Sequence, residues 1–163
     1  MEVLITGFEP FGGNATNPTQ KLVEVLSAAY GASQQDGGLR AQLLPVSFTR
    51  ARAQIQRLAA QLRPRIVLCT GLSAEARSLL AERIAVNEQA GTDNDALTAS
   101  GGKVDAAGTD GLFATIDTAR LSGFLTQRGL RTDISWHAGT YVCNTALYTA
   151  VQSAGRYGGK AGF

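Results

Sequence analysis

The chain is short of the residues that usually announce a function. Its 163 residues include one histidine, one tryptophan, one methionine and two cysteines. A lone histidine and two well-separated cysteines cannot assemble the usual zinc ligand set, so no metal or cofactor is expected. Cys69 and Cys143 form no disulfide framework either, which points to a reducing compartment, most simply the cytoplasm. Charge is also scarce: 17% of residues are charged and the net charge is +2. That balance gives no electrostatic footprint for nucleic acid or an anionic membrane. No apolar run approaches the ~20 residues of a membrane helix. The start, Met1-Glu2-Val3-Leu4-Ile5-Thr6, lacks the basic segment and long apolar core of a secretory signal. The glycines fit neither a Gly-x-Gly-x-x-Gly fingerprint nor a Walker loop, and there is no Gly-x-Ser-x-Gly elbow.

What is present describes one globular domain, with 44% apolar residues for a core. Val3-Leu4-Ile5 predicts a buried strand, followed by a loop over Gly7-Phe8-Glu9-Pro10-Phe11-Gly12-Gly13. Its two aromatics either line a ligand pocket or cap the core. Asn17-Pro18-Thr19-Gln20 is a helix start, with Asn at N-cap and Pro at N1. Leu22, Val23, Leu26, Ala29 and Tyr30 then give one apolar face, stopped by Gly31. A strand over Arg40–Val46, a helix over Phe48–Leu62 and a strand over Ile66–Cys69 complete a β-α-β-α-β order. That order predicts a mostly parallel sheet covered by helices on both faces. Cys69, inside the last of these strands, is expected in the core.

Beyond Gly71-Leu72-Ser73, Ala81–Asn87 is strand-like and begins with the charged pair Glu82-Arg83, ordinarily a solvated surface pair. Residues 88–111 show little periodicity and read as a long loop, a length that is usually functional. Helical spacing returns over Leu112–Arg128 and is closed by Gly129. An apolar run over Thr132–Trp136 predicts a strand, broken by Ala138-Gly139-Thr140. A helix is expected from Asn144. Cys143 therefore stands where a strand and turn hand over to a helix, where the dipole favours a thiolate. Position alone leaves two readings open, a nucleophile or a small buried cysteine under the helix.

Three separated stretches decide between them. Thr6-Gly7-Phe8-Glu9-Pro10-Phe11-Gly12-Gly13 with Asn17-Pro18, Glu82-Arg83-Ile84-Ala85-Val86-Asn87, and Ala138-Gly139-Thr140-Tyr141-Val142-Cys143-Asn144 together resemble the pyroglutamyl peptidases. The resemblance implies a cysteine peptidase of three-layer α/β/α fold that removes N-terminal pyroglutamyl residues from peptides and assembles as a homodimer or homotetramer. It implies Cys143 as nucleophile and Glu82 as the acidic member that orients a histidine. Phe8 and Phe11 would line the pocket for the neutral lactam ring, and N–H groups near Cys143 would form part of an oxyanion hole.

The chain also departs from that family. The family's catalytic histidine follows a Gly-Phe pair, which here is Gly162-Phe163. Its place is the second residue past the end, so a final strand and helix are expected to be missing from residues 1–163. His137, six residues before Cys143, is the only other source of an imidazole, and strand–turn geometry need not return it to the thiol. Gly91-Thr92-Asp93-Asn94 stands where relatives carry Arg-Ile-Pro-Asp-Asn, and Arg77 is shifted by one position from the arginine of relatives.

Overall fold

The computed structural model describes residues 2–30 and 38–163. In chain order the first elements are β1 (Val3–Phe8), α1 (Pro18–Tyr30), β2 (Leu39–Leu44), α2 (Phe48–Leu62), β3 (Ile66–Cys69) and β4 (Leu79–Val86). There follow β5 (Gln89–Thr92), β6 (Thr98–Gly102), β7 (Gly111–Phe113), α3 (Thr118–Thr126), β8 (Thr132–His137), α4 (Val142–Gly155) and β9 (Lys160–Gly162).

One sheet has the order β2-β1-β3-β9 and every pair in it is parallel, with Ile5 between Ala41 and Leu68 and Val67 opposite Ala161. The connection from β1 steps one way to β2 and the next steps back across β1 to β3. Right-handed crossovers then place α1 and α2 on opposite faces. α4 packs on α2 and shares its face. This is the three-layer α/β/α arrangement with a mostly parallel sheet. β4 pairs in parallel with β8 and antiparallel with β7 in a second sheet. The two sheets join at β9. Glu82 N donates to Phe163 O at 3.1 Å, and Thr115 N and Ile116 N donate to Ala161 O at 2.8 and 3.1 Å.

Leu4, Leu44, Val67 and Ala161 of the sheet pack with Ile55 and Leu58 of α2 and with Ala146, Leu147 and Ala150 of α4. Eleven of the fourteen residues of α4 are buried. Its Ala, Thr and Ser side chains let the backbone approach the sheet closely, so α4 has no free face on which to shift. Ser47 caps α2, accepting from Arg50 N at 3.2 Å. Asn17 caps α1 as expected, its Oδ1 accepting from Thr19 N at 3.0 Å.

Several expectations need correcting. β1 continues through Gly7 and Phe8, because a glycine there lets the strand touch the Thr19 carbonyl, which a Cβ would strike. Of the apolar face predicted for α1 only Val23 is buried, while Leu22 and Tyr30 are exposed; Gly31 lies outside the described residues. Residues 88–111 are not a structureless loop: β5 and β6 form an antiparallel hairpin. Its turn is held by Asp93 Oδ1, which accepts from Asp95 N and Leu97 N, both at 3.0 Å. The helix predicted over 112–128 is shorter. Leu112 and Phe113 join β7, and Asp117 caps α3 by accepting from Arg120 N at 3.0 Å. α4 begins at Val142, so Cys143 lies inside its first turn rather than ahead of it.

Candidate active site

The turn that delivers Cys143 is built from short-range contacts. Gly139, at φ 72°, adopts a left-handed conformation that a side chain would strain, and its N–H donates to His137 Nδ1 at 3.1 Å. Tyr141 stands at the N-cap of α4 but contributes no side-chain cap bond. Instead its hydroxyl donates to Thr92 O at 2.9 Å. Its ring lies 5.8 Å from that of Phe11 and edge-on at 5.6 Å to that of Phe48. The first turn of α4 is thus held by an aromatic cluster and the hairpin.

Three segments meet at the sulfur. A Cβ on Gly71 would lie 2.8 Å from Cys143 Sγ and 2.7 Å from Phe163 Cζ, so the chain leaving β3, the chain leaving β9 and the start of α4 converge there. Glu82 follows on the next strand. It lies opposite Ser135 of β8 and is 7% exposed. Its Oε2 is fully buried and has no hydrogen-bond partner among the described residues.

Burial pushes the Cys143 thiol up to about 12, helped by the Cys69 thiol and the Glu82 carboxylate and opposed by a backbone hydrogen bond. Burial thus acts against the thiolate that the helix start favours. A helix end is worth at most ~2 kcal/mol to a nearby charge, desolvation opposes it, and none of the groups acting on the thiol is a cation. Burial also raises the Glu82 carboxyl above its ordinary range, with Ser135 and His137 acting against it. Cys69 is fully buried in β3 and pushed up to about 11 by burial, as a core residue should be.

The Glu82 carboxylate acts on the Cys143 thiol through its charge, whereas His137 does not. His137 is exposed at the end of β8 and acts on Glu82 but not on the thiol. Phe8 is 1% exposed and belongs to the core, so it is not the exposed loop ring that the sequence suggested. Phe11 is half-buried on the rim beside Tyr141. Arg77 is exposed. Among the described residues no group of three His, Cys, Asp or Glu side chains is placed to hold a metal ion.

The sequence marks Gly71 only as part of the loop leaving β3, and Tyr141 and Asn144 only as neighbours of Cys143 in its motif. Gly71 carried a weak signal as a glycine directly after the strongest apolar strand, where open α/β sheets gather their binding loops. Tyr141 and Asn144 flank Cys143 closely, but nothing in their spacing reveals their partners, which lie 49 and 58 residues away.

Comparison with known proteins agrees with this geometry. A profile described as pyroglutamyl peptidase matches residues 1–163. The chain is 35% identical to the pyrrolidone-carboxylate peptidase of Thermococcus onnurineus over 167 residues, covering 100% of this chain and 82% of that protein. It is 31% identical to a pyrrolidone-carboxylate peptidase of Saccharolobus islandicus, covering 100% and 78%. The fold superposes on a mutant pyrrolidone carboxyl peptidase from P. furiosus with a TM-score of 0.91 at 29% identity, covering 100% and 79%. For pyroglutamyl peptidase I of Bacillus amyloliquefaciens the TM-score is 0.89 at 26% identity, covering 99% and 79%. With sequence and fold in agreement, the chain belongs to the pyroglutamyl peptidase family of cysteine peptidases.

Proposed function

We propose that this family member removes an N-terminal pyroglutamyl residue from peptides, with Cys143 as nucleophile and Glu82 as the carboxylate that orients the base. The observation that carries the assignment is Glu82 Oε2, buried near the thiol and without a hydrogen-bond partner among the described residues. An unpaired carboxylate oxygen in the interior is costly, and an imidazole N–H is the donor this chemistry calls for.

The Cys143 proton passes to the imidazole as sulfur attacks the pyroglutamyl carbonyl. The imidazole returns that proton to the departing amine, leaving a thioester on Cys143. Water then attacks the thioester, giving one proton to the imidazole, which hands it back to sulfur as pyroglutamate leaves. N–H groups in the first turn of α4, uncapped by any side chain, face the developing oxyanion. Phe11, half-buried on the rim beside Tyr141, supplies an apolar wall against the lactam, which carries no charge and needs no counter-ion.

We place the base on the continuation of β9 in a longer form of this single domain, followed by a helix. Side chains two apart along a strand share a face. A histidine two positions after Phe163 therefore falls on the side where the Phe163 ring meets Gly71 and the sulfur. We also propose a homodimer or homotetramer, supported by the exposed Trp136 and Phe113, and a cytoplasmic setting, supported by two free thiols.

The test is turnover of a pyroglutamyl-coumarin amide by residues 1–163 and by a chain extended with Ile-His and the following segment. Turnover by the extended form, lost in its Cys143→Ala variant, supports the assignment. Silence from both forms overturns it.

A further inference from the structure

The side chain of Asn144 is 0% exposed and makes three hydrogen bonds, all to the backbone at the end of β4. Its Oδ1 accepts from Val86 N at 2.9 Å, while its Nδ2 donates to Val86 O at 2.8 Å and to Glu88 O at 2.9 Å. One amide thus satisfies both the N–H and the C=O of Val86, as a neighbouring strand would. The element it grips is the one that bears Glu82, four residues earlier on the same face of β4. The element it belongs to bears Cys143, its immediate neighbour in sequence.

Resting on the roles given above to Cys143 and Glu82, we propose that Asn144 is a positioning residue that sets the nucleophile against its acidic partner. α4 has no side-chain cap of its own. Its first turn is held from outside by Tyr141 on the hairpin, by Ala90 N donating to Thr140 O at 2.9 Å, and by Asn144 on β4. Of these ties only Asn144 reaches the strand of Glu82. Through it the sulfur and the carboxylate keep one separation. Asn87, 1% exposed, makes the same three-bond pattern, but to a loop that bears neither Cys143 nor Glu82. It donates to Asp105 O and Gly108 O and accepts from Asp105 N.

The proposal separates local loosening from global destabilisation. In Asn144→Ala the start of α4 comes free, and the thiol escapes its desolvated position. Iodoacetamide labelling of Cys143 at pH 8 should rise at least fivefold while Cys69 stays unlabelled, and the midpoint of its pH profile should move down. Asn144→Asp should behave alike, since it keeps one acceptor but sets a carboxylate against two carbonyls. Asn87→Ala, with a comparable fall in melting temperature, should leave Cys143 labelling within twofold of the parent chain. In any form that turns over the coumarin substrate, Asn144→Ala should lower kcat at least tenfold with KM changed less than threefold. Unchanged Cys143 labelling in Asn144→Ala overturns the proposal, as does labelling of both cysteines together or an equal response in Asn87→Ala. The labelling arm needs no turnover. Absence of peptidase activity would therefore count against the assigned function without deciding the role of Asn144.

Discussion

At Gly71 a single hydrogen atom leaves room for both the nucleophile and the Phe163 ring. Gly71→Ala would place a Cβ 2.8 Å from the sulfur and 2.7 Å from Phe163. Overpacking of that kind costs about 1–3 kcal/mol, and a displacement of the order of 1 Å at a reacting atom costs about 10²-fold in rate. We expect both a lower melting temperature and that loss of kcat in any active form, read by calorimetry and the coumarin assay. Glu82 allows a pH test. Its carboxyl is raised in the fold, so its contribution to stability is complete below the unfolded value and is lost as pH rises through the folded one. Glu82→Gln removes that loss. The variant should be more stable than the parent near pH 7, with the gap closing as pH falls through the carboxylate range, and its turnover should fall by about 10²-fold or more. A stability difference that does not change with pH would contradict the placement of Glu82. Cys143 shows how far residue identity carries. Its role could be taken from sequence, but its acidity could not, because the thiol is governed by how much water the fold removes from it.

The β5–β6 hairpin is the element that escaped the sequence. Its strands read Gln-Ala-Gly-Thr and Thr-Ala-Ser-Gly-Gly, which carry few β-branched or aromatic residues and no apolar alternation. Tertiary bonds define it instead. Asp93 Oδ2 accepts from Phe48 N at 2.9 Å at the start of α2, and Asn94 N donates to Val46 O at 2.9 Å. Asp93→Ala removes this helix-end bond together with two turn bonds from a residue 5% exposed, at a cost of about 1–2 kcal/mol. Chemical denaturation should show that loss, and hydrogen exchange should show it concentrated in the hairpin and the first turn of α2. By contrast α2 and β3 match their sequence boundaries, since Ser47, Pro64 and strict apolar spacing mark them locally. The false extension of α3 to Leu112 has the opposite cause. Leu112, Phe113 and Ile116 have helical spacing, but pairing with β4 and packing on Gly162 claim them first.

For the molecule as a whole, Trp136 tests the proposed assembly. It is the only tryptophan and is 68% exposed. Its fluorescence should be readily quenched by iodide in dilute protein and become protected as concentration rises. Trp136→Ser should leave folding stability within about 0.5 kcal/mol yet lower the mass measured by light scattering. A mass unchanged by the substitution would remove this face from the interface. The sequence by itself determined the α/β class, the order of the first five elements and the family, and it supplied Cys143 and Glu82 as candidates, because these rest on local periodicity and on motifs a few residues long. Only the tertiary structure decided that β9 lies between β3 and β4, that burial raises the thiol, that Phe8 is core and that Asn144 ties α4 to β4. Each of these depends on contacts between residues distant in the chain and on the water their packing excludes, and neither quantity is written in any short stretch of sequence.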